Sequence, residues 1–98
     1  MKVILTTPLK DYTGQPLVEN KEPVLMRTVI LSALNFTPKD GKQDSAEEKM
    51  KTYQLSLEVW TSKEIELSAE QVAKIKANLA VMYAPLVAGQ ASLILEGK

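Results

Sequence analysis

Glu64 and Glu66 stand two residues apart. On an extended segment that spacing puts both carboxylates on one side, where they could act as an acid and base pair. Glu58 and Glu70 are near them in sequence. The plainer reading is that Glu alternating with Ile65 and Leu67 marks a half-buried edge, and we expect no catalytic residue here. A second acidic group, Asp40, Asp44, Glu47 and Glu48, offers the oxygen ligands that Mg²⁺ or Ca²⁺ takes. Its spacing is not that of an EF-hand loop. Asp44 or Ser45 followed three residues on by Glu47 or Glu48 is instead a helix start, with negative charge at the positive end of the dipole. We expect neither a metal nor a cofactor. Lys39, Lys42, Lys49 and Lys51, with Tyr53, could contact phosphate, but four carboxylates are interleaved with them. That is the pattern of a solvated helix laced with ion pairs.

The residues that are absent narrow the chemistry further. The 98-residue chain has no His and no Cys. It therefore lacks the commonest general base, the thiolate nucleophile, disulfides and the usual zinc and haem ligands. Its glycines, Gly14, Gly41, Gly89 and Gly97, form no phosphate-cradling pattern. Twelve basic side chains balance twelve acidic ones, and the balance holds in each half: seven of each in residues 1–49, five of each in 50–98. A nucleic-acid binder usually carries a basic excess. The first apolar run, Val3-Ile4-Leu5, is too short for a signal-peptide core. We expect one domain in a reducing, cytoplasmic compartment.

The elements that would position any site read as follows. Residues 2–6 are rich in β-formers and end before Pro8, so a short strand is expected. Residues 9–21 read as a hairpin or ordered loop, with a turn at Gly14 and Leu9, Tyr12, Leu17 and Val18 as anchors. Pro23 suits the first turn of a helix. The apolar run through Leu25, Met26, Val29, Ile30, Leu31, Ala33 and Leu34 carries one charge, Arg27, and reads as a buried helix, with a strand as the alternative. After a loop at 35–43, Ala46, Met50, Tyr53, Leu57 and Trp60 recur at spacings of four, three, four and three, one sustained helical stripe. We expect that stripe to pack on the preceding helix. Ser68 with Gln71 is a capping box opening a helix with Val72, Ile75, Leu79, Met82 and Tyr83 inward. Pro85 kinks that helix or opens a last one containing Leu86, Val87, Ala91, Ile94 and Leu95, closed by Gly97; Ser92–Leu95 could instead be a strand. The expected fold is mainly α (α+β): a β/loop element over 1–21, then a helical part over 22–98 with about four helices.

Residues 77–95 contain no charge over 19 positions. That is close to a membrane span in length, but Asn78, Pro85, Gly89, Gln90, Ser92 and five alanines argue for packed helices. A charge-free third of so small a chain is also a candidate partner site. Tyr83, Leu86, Val87 and Leu93 are its expected anchors.

Leu9-Lys10-Asp11-Tyr12-Thr13-Gly14-Gln15-Pro16-Leu17 ahead of an apolar helix, then Glu66-Leu67-Ser68-Ala69-Glu70-Gln71-Val72-Ala73-Lys74-Ile75-Lys76 and Tyr83-Ala84-Pro85-Leu86-Val87-Ala88-Gly89-Gln90, resemble small phage- and prophage-encoded proteins of about 100 residues. The likeness spans most of the chain and rests on structural punctuation, so it carries over no catalytic or binding residue. It implies a virion-assembly or accessory role. The expected function is a non-enzymatic protein-interaction or self-assembling factor. The alternative is a small nucleic-acid-binding regulator that uses the four lysines.

Overall fold

The computed structural model describes residues 2–36 and 45–97. In chain order the elements are β1 (Lys2–Ile4), β2 (Val18–Glu19), β3 (Glu22–Pro23), α1 (Met26–Leu34), α2 (Ala46–Thr61), β4 (Glu64–Glu66), α3 (Ala69–Met82) and α4 (Pro85–Leu95). The fold is therefore α+β and dominated by four helices, as expected. The Glu64–Glu66 alternation, with the look of a half-buried edge, is a strand as its pattern suggests. It pairs antiparallel with β1, Lys2 opposite Glu66, Val3 opposite Ile65 and Ile4 opposite Glu64. Val3 and Ile65 are buried while their neighbours face outward, the period of two that a one-sided sheet requires.

The β part extends further than the sequence implies. Residues 9–17 form an ordered loop bridged at Lys10 and Pro16. Leu9 is fully buried and Leu17 packs on the core, but Tyr12 and Val18 are exposed, so only two of the four expected anchors hold the loop down. Asp11 organises the turn: one carboxylate oxygen accepts from the Thr13 hydroxyl at 2.6 Å, the Thr13 amide at 2.9 Å and the Gln15 amide at 3.1 Å. Gly14 then adopts φ 87, a left-handed value that costs glycine little. Beyond it, β2 and β3 form a hairpin turned by Asn20 and Lys21, both at positive φ. Pro23 lies in that hairpin, opposite Val18, and does not open a helix.

α1 starts three residues later, at Met26, with Leu25 before it supplying no side-chain cap. Its first amides are satisfied from elsewhere in the chain. Met26 N–H donates to the Thr7 carbonyl at 2.9 Å and Arg27 N–H to the Leu5 carbonyl at 3.0 Å. Capping by backbone from another segment leaves no local signature, so α1 begins later than Pro23 suggests. α1 packs on α2 and on α3. Met26, Val29, Ile30 and Ala33 are fully buried at the centre of the core.

Arg27 also reaches the far end of α2. Its Nε donates to the Val59 carbonyl at 3.1 Å and its Nη2 to the Ser62 carbonyl at 2.6 Å. A helix C-terminus leaves carbonyls unpaired and carries partial negative charge, and a guanidinium answers both. α2 opens where expected: Ser45 Oγ accepts from the Glu48 amide at 3.2 Å, while Asp44, the other expected cap, lies outside the described residues. α3 opens on the full Ser68/Gln71 capping box and buries Val72, Ile75 and Leu79. Tyr83 and Ala84, both extended, separate it from α4, which has Pro85 in its first turn. The 92–95 segment is thus helix, and Gly97 follows its end at φ 80. Gln90 on α4 fastens the N-terminal loop: its Oε1 accepts from Lys10 N–H and its Nε2 donates to the Lys10 carbonyl, each at 2.8 Å. No buried side-chain nitrogen or oxygen among the described residues lacks a partner.

Two outcomes follow. Arg27→Ala should lower unfolding stability in urea by about 2 kcal/mol, since hydrogen bonds to charged groups carry about that much. Arg27→Lys should recover only part, because one ammonium does not reproduce the two-pronged geometry, and Lys49→Ala should be near neutral. The Thr13 hydroxyl, helped by the loop amides, holds the Asp11 carboxyl below its ordinary value. Its contribution to loop order is therefore present above about pH 4 and lost as pH falls through the lower folded value. The Thr13 and Gln15 amide shifts should titrate with a midpoint below that of a free Asp. A midpoint at or above the free value would contradict the turn's geometry, and Asp11→Ala should abolish the titration.

Candidate functional site

α2 has two apolar faces. The inner one is slight. Val59 is fully buried and Leu55 packs against the core, with Thr52 and Ser56 half-buried beside them. The outer one is the long stripe. Met50 is 65%, Tyr53 64%, Leu57 45% and Trp60 67% exposed, and Ala46 is exposed at its start. The expectation that this stripe packs on α1 is therefore corrected. The weaker pair, Leu55 and Val59, takes that role, and the Arg27 bonds to Val59 and Ser62 hold that side of α2 against α1.

The stripe brings a thioether, a phenol, an isobutyl group and an indole into one row along a helix. Such a row has no chemistry of its own. It offers a large apolar area with a hydrogen-bonding rim at Tyr53 and Trp60, the character of a docking surface. The chain's only Trp lies in it. Its polar flanks are Glu47, Lys49, Gln54, Ser56 and Thr61.

Between α2 and α3 lies a separate open cleft of about 510 Å³, lined among others by Leu34, Leu55, Glu48, Lys51, Glu70 and Lys74. Two carboxylates and two ammonium groups share its walls. Of the other carboxylates considered from sequence, Glu64 pairs with Lys2 at 3.1 Å, and Glu58 is exposed on α2. Among the described residues no cluster of three metal-ligating side chains occurs. Asp40 of the acidic group, and Lys39 and Lys42 of the basic group, lie outside the described residues. Lys49 is exposed, and Lys51 pairs with Glu47 one turn earlier at 3.7 Å.

The charge-free segment 77–95 is divided between α3 and α4, which pack together. Leu79, Ala91 and Leu95 are fully buried, and Met82, Tyr83, Val87, Ala88 and Ile94 pack against the core. Of the four expected anchors, Tyr83, Leu86 and Val87 are half-buried and Leu93 is exposed. No helix among the described residues is long and apolar enough to cross a membrane.

The exposure of the stripe has a measurable corollary. At micromolar concentration, Met50→Gln, Tyr53→Gln, Leu57→Gln and Trp60→Gln should each change stability by less than about 1 kcal/mol. Leu79→Ala, which opens a cavity in the core, should cost about 2–5 kcal/mol. A loss of that larger size from the stripe variants would mean that the face is internal.

Comparison of the chain with protein-family models, with curated proteins and with solved structures finds no match.

Proposed function

We propose that this protein is a non-enzymatic interaction factor, an accessory component that docks on another protein surface or assembles with itself. The observation that carries this reading is the outward row Met50, Tyr53, Leu57 and Trp60 on a helix whose inner face already meets the core. Large apolar side chains at helical spacing are ordinarily buried. Exposed together, they mark a surface meant to be covered. The docking face is the outer side of α2. Leu93, exposed on α4, is the expected C-terminal anchor with most free surface to add, and Tyr83, Leu86 and Val87 support it from partly buried positions. The resemblance to small phage-encoded proteins supports a role for such a factor in virion or tail assembly, acting in the host cytoplasm.

A photo-crosslinking residue at position 53 or 60, in the chain expressed in its native host, tests the reading. Adducts should form from both positions and be absent when the same group replaces exposed Glu70. Absence of any adduct beyond that control would overturn it.

A further inference from the structure

We propose that the outer face of α2 pairs with the same face of a second copy of this chain, the two helices running antiparallel about a two-fold axis at the level of Leu55. The proposal rests on the interaction reading above and names its occupant.

Spacings of three, four and three along Met50, Tyr53, Leu57 and Trp60 keep the row on one side of a slightly underwound helix, the seam that receives another helix. The row is also symmetric about position 55. Met50 and Trp60 are equally far from it, and so are Tyr53 and Leu57. An antiparallel pair therefore sets Met50 against Trp60 of the second copy and Tyr53 against its Leu57. Each layer joins one aromatic ring to one flexible or branched aliphatic chain, which balances volume across the seam. Sulfur beside an indole adds a favourable contact.

Charge favours the same arrangement. The seam's flanking positions nearest the axis are Gln54 and Ser56, which meet their own copies there without like-charge repulsion. Glu47 and Glu48 lie in the first turn of α2. A parallel pair would bring the two acidic first turns together. The antiparallel pair separates them and opposes the helix dipoles. The four side chains offer roughly 400 Å² per copy, about 800 Å² in total, from ordinary side-chain areas. That is less than a permanent dimer buries, so the pairing is reversible and concentration-dependent.

Sedimentation velocity of the full chain across micromolar to millimolar concentration tests this, with Trp60 emission followed in parallel. The expected result is a monomer–dimer equilibrium whose mass increase coincides with a blue shift of the single Trp. Tyr53→Glu and Trp60→Glu should each hold the chain monomeric with an unchanged far-UV spectrum and, at micromolar concentration where the parent chain is monomeric too, an unchanged melting temperature. The chain has no cysteine, so orientation can be read directly: Gln54→Cys should oxidise to a disulfide-linked dimer, and Met50→Cys should not. The reverse pattern would overturn the antiparallel pairing. A chain monomeric at every concentration, but crosslinked from position 53 to a different protein, would overturn self-pairing and leave the interaction reading intact. A monomer with no adduct would overturn both.

Discussion

The two hydrogen bonds from the Arg27 guanidinium settle how the molecule is put together. α1 has one charged side chain, and it is spent on the end of another helix. The same residue's backbone N–H binds the Leu5 carbonyl, and the Leu5 N–H in turn binds the Lys63 carbonyl. Three segments distant in sequence thus meet around one side chain: the exit from β1, the start of α1, and the α2–β4 junction. The β1–β4 pairing continues from that point. Because the guanidinium takes carbonyls on the Val59 side of α2, it also decides which side of that helix faces inward.

That decision explains where the sequence was legible and where it was not. Ser68 with Gln71, Ser45 before Glu48, Pro85 in a first turn and Gly97 after a last one are local devices, each readable within four residues. So was the inward face of α3. The start of α1 was not readable, because its amides are answered by Leu5 and Thr7, some twenty residues away. The orientation of α2 was hidden for a different reason. Periodicity shows that a helix has an apolar face, but not whether that face meets the core. α2 has a second, smaller apolar pair at Leu55 and Val59, and that pair was the signal available. A helix with two apolar faces can satisfy the core with one and leave the other free.

The C-terminal third shows the converse. Its freedom from charge looked like surplus apolar area, yet most of it is used internally once Pro85 divides it into two helices that pack on each other. Apolar composition over a long segment is therefore a poor guide to how much of it stays exposed.

Gln90 holds the Lys10 backbone with a pair of amide bonds across 80 residues of sequence, and β1 waits in the same way for β4. On a ribosome, residues 2–10 are made before their distant partners: Leu5 and Thr7 can meet the start of α1 early, but two of the segment's fastenings come much later. Part of the assembly of this segment therefore waits on chain made long after it. The β1 edge stays without its strand until residues 64–66 have emerged, and the loop at Lys10 is not fastened until α4 is complete.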